Sequence, residues 1–151
     1  MANTQAMCTS FKGELLTGTH NFGTGVVRAS TTADTFKAAL YLSSATINAS
    51  TTAYTATGEV SGTGYSAGGV SISGWNAPTT SGTTGYTTPS ASISYTTVTL
   101  TTAFNCVLIY NSTQSNKAVS VHTFGDQTVT AGTFTLTMPT NDASNALIRL
   151  A

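Results

Sequence analysis

Phe104-Asn-Cys-Val-Leu-Ile-Tyr-Asn-Ser-Thr-Gln-Ser-Asn-Lys-Ala-Val-Ser-Val-His-Thr-Phe124 decides the fold class. Phe104, Cys106, Leu108 and Tyr110 recur with a period of two, which puts them on one face of a strand. A polar run, Asn111–Asn116, follows; Ala118–Phe124 then alternates again. Strand, polar turn, strand is the signature of an antiparallel hairpin. Outward from it the same period continues. In Val129–Met138, Phe134, Leu136 and Met138 face in while Thr133, Thr135 and Thr137 face out, and Gly125-Asp126-Gln127 reads as a second tight connection. Upstream, Asp34–Leu42 sets Phe36, Ala38, Leu40 and Leu42 against Thr35, Lys37, Ala39 and Tyr41. Val70–Ser73, Ile93–Leu100 and Ala146–Leu150 add further strands. About seven short strands with turn residues between them predict a mostly β protein, a single antiparallel β-sandwich or jelly-roll-like domain spanning 1–151, its sandwich in 34–150.

The N-terminal stretch has a different period. Met7, Phe11 and Leu15 recur at i, i+4 and i+8, which predicts one short helix over 4–17, capped by Asn3 or Thr4 and ended by Gly18. A further helical turn over Ile47–Thr57 is conceivable, but its Thr and Ser residues disfavour it.

Composition narrows the function classes. The chain of 151 residues has 33 Thr and 17 Ser, only 7% charged residues and zero formal net charge. Ordinary domains are about 25% charged. A nucleic-acid binder needs clustered Lys and Arg to neutralise phosphates, and a polybasic membrane-surface protein needs them too, so neither is expected. The polar start Met1-Ala-Asn-Thr-Gln, with no apolar run of roughly 7–15 residues behind it, predicts no secretory signal peptide. No apolar run has the length of a membrane span. Cys8 and Cys106 read as two buried small hydrophobes of a reducing compartment rather than as a bridge.

Catalytic motifs are weak. Gly64-Tyr-Ser66-Ala-Gly68 matches G-x-S-x-G, but a nucleophile elbow joins a buried strand to a helix, whereas here a strand follows; the only later histidine is His122, and no carboxylate lies between. Gly62-Thr-Gly64 and Gly23-Thr-Gly25 have no P-loop lysine and read as turns. His20 and His122 are far apart, the cysteines are not in C-x-x-C, and Asp126 and Asp142 are isolated, so no metal centre and no cofactor are expected. Lys37, Glu59, Asp126, Asp142 and Arg149 read as solvated charges, with Glu59–Arg149 as one conceivable pair. The chain is expected not to be an enzyme.

From Val60 to Asn116 there is no Asp, Glu, Lys, Arg or His. Inside that run, Gly74–Ser92 is a long connection carrying Trp75 and Tyr86. Long loops in compact domains are often functional, and interface cores are depleted of charge. Trp75 and Tyr86, with the stripe Met7, Phe11 and Leu15, are therefore the candidate protein-contact residues. The competing reading makes the connection a flap with Trp75 at the core edge.

Several stretches carry a resemblance. Ser10-Phe-Lys-Gly-Glu-Leu-Leu-Thr-Gly-Thr-His-Asn-Phe22, Asp34-Thr-Phe-Lys-Ala-Ala-Leu-Tyr-Leu-Ser-Ser-Ala-Thr46, Thr52-Ala-Tyr-Thr-Ala-Thr-Gly-Glu-Val-Ser-Gly-Thr-Gly-Tyr65, Leu108–Ser112 with Asn116–Val119, and the ending Asp142–Ala151 resemble small virion structural proteins of tailed bacteriophages. The resemblance implies a capsid decoration or cement protein, assembled into the virion in the host cytoplasm, with the major capsid protein and copies of itself as partners. It carries no catalytic residues over. The rival expectation is a tail or fibre-associated module in which Trp75 and Tyr86 stack on host glycan.

Overall fold

The computed structural model describes residues 3–16, 18–22 and 32–151, with no account of the side chains of 12–14 and 16. Gly23-Thr-Gly25 and Arg28 lie outside the described residues. The fold is mostly β: two antiparallel sheets and one short helix, the make-up of a β-sandwich.

β1 (Ala6–Met7) leads into α1 (Thr9–Leu16). β2 (Phe36–Leu42), β3 (Val70–Ser71), β4 (Thr79–Ser81), β5 (Thr84–Thr87), β6 (Ile93–Asn111), β7 (Lys117–Leu136) and β8 (Ile148–Leu150) follow. The large sheet has the order β1-β7-β6-β2-β3; the small one is β4-β5-β8.

The quoted hairpin is the spine. Asn111 pairs with Lys117 across a loop in which Ser115 and Asn116 take left-handed φ of 53° and 57°. The Asn111 side-chain oxygen accepts from the amides of Thr113 and Gln114 at 3.1 Å each and closes that loop. Both arms run further than the sequence reading had them. Ile93–Leu100 and Phe104–Asn111 are one strand of 19 residues, and β7 runs for 20 straight through the expected Gly125–Gln127 turn. Register shifts between Tyr95 and Cys106 absorb the irregular residues as bulges.

β2 is buried on both faces, not alternately. It lies between β6 and β3, with separate cover on each side. Phe36 meets Phe22 and Trp75 on one side. On the other, Tyr41 donates to the Thr55 carbonyl at 2.6 Å, and Tyr54 stacks on Tyr110. The cover there is the segment 43–69, which has no helical turn. Its backbone is spent instead on the Leu42–Gly58, Val60–Leu40 and Tyr54–Asn116 hydrogen bonds. Gly69, at φ +71°, fits because an added Cβ would stand 1.8 Å from the Ala38 carbonyl oxygen.

The helix is shorter than its period predicts. Ala6 and Met7 pair with Val121 and Ser120, and the Cys8 amide donates to the Val119 carbonyl. The open edge of β7 offers these residues ladder hydrogen bonds that a Thr- and Ser-weakened helix start does not match. Gly18, at φ +64°, donates to the Leu15 carbonyl and ends α1. Cys8 and Cys106 are buried thiols; burial pushes Cys106 up to about 12.

Candidate functional site

The connection 74–92 is built, not loose. Trp75 bridges to Pro89, Asn76 and Thr88 share a backbone hydrogen bond, and β4 and β5 form a small hairpin with β8 on its far side. Trp75 packs against the core: its ring lies 4.8 Å from that of Phe22 and 5.3 Å from that of Phe36, edge-on to both. The indole therefore packs at the core edge. Among the described residues, the Trp75 indole nitrogen is buried with no hydrogen-bond partner.

Three other contact candidates come together. Phe11 and Leu15 of α1 and Tyr86 of β5 line one apolar groove of about 320 Å³, with Phe22, Pro78, Thr79, Thr80, Gly85, Thr87, Ile148 and Leu150. Phe11 forms its floor and has no exposed surface of its own, so it supports the groove rather than displays itself. Its ring is held edge-on by His20 at 4.8 Å and Phe22 at 5.8 Å. Met7 is not part of this site. Sitting in β1, it lines a separate, more polar depression with Thr84, Ala143, Leu147, Arg149 and Ala151. The sequence reading missed Gly85, Ile148 and Leu150. Their signal was weak: β8 meets α1 only through the fold, and a glycine in a short strand announces no groove.

The groove has one ionisable wall group, the Tyr86 phenol, and no Asp, Glu, Lys, Arg or His. Its other polar groups are the hydroxyls of Thr79, Thr80 and Thr87. It can bind an apolar group by excluding water, worth about 25 cal/mol per Å² covered.

The polar residues elsewhere are committed to structure. Glu59 does not pair with Arg149. Its carboxylate accepts from Tyr54 and Tyr65 at 2.7 Å each and from the Gly68 amide at 2.8 Å, while Arg149 reaches the Ser144 carbonyl. Burial first, and then the bond to Glu59, push Tyr54 up to about 12 and Tyr65 higher still. Ser66 is exposed in a turn closed by the Gly69 amide on its carbonyl, with no helix behind it. Asp34 is buried and accepts from the Asn21 amide at 2.9 Å and from the Asn111 side chain at 2.8 Å, and Asn111 also stands 3.1 Å from His20 Nδ1. That knot ties the segment before β2 to the hairpin loop. His122 Nε2 lies 2.9 Å from the Ser120 hydroxyl, and burial lowers the imidazole to about 4. Ser120 is itself buried, while His122 lines a depression with Gln5, Ile93, Phe124 and Leu147. Among the described residues, no three His, Cys, Asp or Glu side chains gather as metal ligands, and no helix is long and apolar enough to cross a membrane. Comparison with protein-family models, curated proteins and solved structures finds no match to this chain.

Proposed function

We propose that this chain is a non-catalytic structural component of a tailed-phage particle: a capsid decoration or cement protein that binds the assembled head by non-covalent contacts. Its partners are the major capsid protein and neighbouring copies of itself. The observation that carries this reading is the open apolar groove at the Phe11–Tyr86–Leu150 corner, set in a chain with 57 consecutive residues, Val60 to Asn116, free of ionisable acids and bases other than Cys and Tyr. Covering such a surface desolvates no ion, so modest apolar contact is not offset by the cost of stripping charges. A shell repeats its sites many times, so even a small groove contributes to a cumulative hold on the lattice.

The test is copy number and attachment. Hundreds of copies per particle, and binding of the purified chain to expanded heads prepared without it, are the expected results. A few copies or a dozen, located at the tail, would replace this reading with the fibre-associated one.

A further inference from the structure

One wall of the groove is also the free edge of a sheet. β4 pairs with β5 on one side; among the described residues nothing pairs with its other side, and Thr79, Thr80 and Ser81 are all exposed. Edges are blunted by shortness, proline, lysine, an inward charge or a bulge. β4 is three residues long with Pro78 just before it, but it carries no charge and no register break, and its side chains are all hydroxyls.

The register adds a second observation. Thr80 pairs with Gly85, and Gly85 with Leu150, so the three form one row across the small sheet, and all three line the groove. The middle of that row is empty: a Cβ added at Gly85 would meet nothing within 4 Å. Gly85 has no left-handed φ, so the backbone there does not need glycine. Beside the gap stands Leu150, 46% exposed and the most exposed large apolar side chain among the described residues. A free strand edge, a gap in the next strand and an apolar rim without charge select one kind of occupant.

Resting on the reading of the chain as a shell-binding protein, we infer that β4 takes an uncharged, extended segment of the capsid protein as an additional strand. That segment lays one long apolar side chain, aromatic or methionine, across Thr80 into the gap over Gly85 and against Leu150. Main-chain hydrogen bonds along β4 supply the hold, and the gap supplies the selectivity, as in other strand-addition complexes.

Gly85→Val fills the gap with a residue suited to a strand, and Thr80→Lys places a charge on the edge. Both variants are expected to keep the wild-type melting temperature and to lose at least tenfold in affinity for expanded heads. Thr128→Lys, an exposed β7 position away from the groove, is expected to bind as wild type. Wild-type binding by Gly85→Val and Thr80→Lys would overturn the strand-addition inference and leave the shell-binding reading standing. Failure of the wild-type chain to bind heads at all would overturn both. A melting temperature lowered by Gly85→Val would mean that the chain's own residues occupy the groove. A wild-type dimer in solution that Gly85→Val dissolves would make a second copy the occupant. Either result overturns the inference.

Discussion

The indole of Trp75 stands edge-on to the ring of Phe22, centroids 4.8 Å apart and planes at 81°. Phe22 in turn stacks on Phe36 at 4.7 Å and meets Phe11 at 5.8 Å, so one chain of rings runs from the flap to the floor of the groove. Edge-to-face pairs of this kind add about 0.5–1.5 kcal/mol each beyond the area they bury. Trp75 is thus a keystone between the flap and β2, and its removal acts on the fold.

Trp75→Ala is expected to destabilise the chain by about 3 kcal/mol, the low end for a large aromatic because the ring is only partly buried. Trp75→Phe is expected to cost less than about 1.5 kcal/mol: it keeps a ring against Phe22 and deletes an indole N–H that has no partner to lose. Urea midpoints of the two variants check this. A midpoint unmoved by Trp75→Ala would return the indole to the surface as an anchor.

The large strands, their order of alternation and the hairpin at Asn111–Asn116 were legible in the sequence because a period of two over many residues leaves little choice. The fusion of segments into β6 and β7 was not. Gly125-Asp126-Gln127 has turn chemistry, yet the pairs Cys106–Thr123 and Phe104–Gln127 on either side carry the chain through it as a bulge, so tertiary pairing overrides local propensity. Met7 failed for the same reason, taken from its helical stripe by the edge of β7. The groove was half legible. Phe11 and Leu15 stood out as part of a helical apolar stripe and Tyr86 as an aromatic in a long charge-free connection, whereas the Thr80–Gly85–Leu150 row exists only once three distant segments are in register.

Glu59 supplies a second prediction. One carboxylate fastens two phenols and the Gly68 amide at a single point of the segment that covers β2. Glu59→Ala orphans all three donors and is expected to cost about 2–3 kcal/mol. Glu59→Gln keeps the shape and is expected to cost about 1 kcal/mol, since the Tyr54 hydroxyl can turn to accept from the new amide. Equal midpoints for the Ala variant and wild type would show that the loop is held elsewhere.

The same phenols set the alkaline limit. Burial is the leading cause that raises Tyr41, Tyr54, Tyr65, Tyr95 and Tyr110, with Tyr54 and Tyr110 at about 12 and the other three higher. A folded pKa above the unfolded value of 10 means that the native state keeps protons the unfolded chain releases. The stability held by these groups is therefore complete below pH 10 and is lost as the pH rises towards 12 and beyond. Absorbance titration is expected to show these tyrosines ionising together, at the pH where circular dichroism reports unfolding. Five separate, reversible ionisations in a folded chain would contradict it.

Glycine gives a paired test of backbone strain. Gly69 and Gly82 both take left-handed φ, at +71° and +58°. A Cβ at Gly69 would collide with the Ala38 carbonyl, whereas at Gly82 it meets nothing within 4 Å. Gly82→Ala is expected to cost about 1 kcal/mol, the conformational strain alone. Gly69→Ala carries that strain and the clash, and is expected to lose more than about 3 kcal/mol or to prevent folding. Comparable midpoints for the two would mean that the 66–69 turn can shift away from β2.

His122 fixes the acid side. Burial lowers its imidazole from 6.5 to about 4, so the folded chain holds it neutral while the unfolded chain protonates it at mildly acid pH. Between those two values the unfolded state binds the extra proton, and acidification therefore favours unfolding. Stability held by this group is intact above about pH 6.5, falls as the pH drops towards 4, and levels off below that. The full span is about 3 kcal/mol at 1.36 kcal/mol per unit. His122→Gln can retain a hydrogen bond to the Ser120 hydroxyl but cannot titrate. Urea midpoints measured from pH 7 to pH 4 should fall more steeply for wild type than for this variant, the two curves separating below pH 6.5. Parallel curves would show that the wild-type ring is already solvated in the native state and that His122 contributes nothing to the acid response.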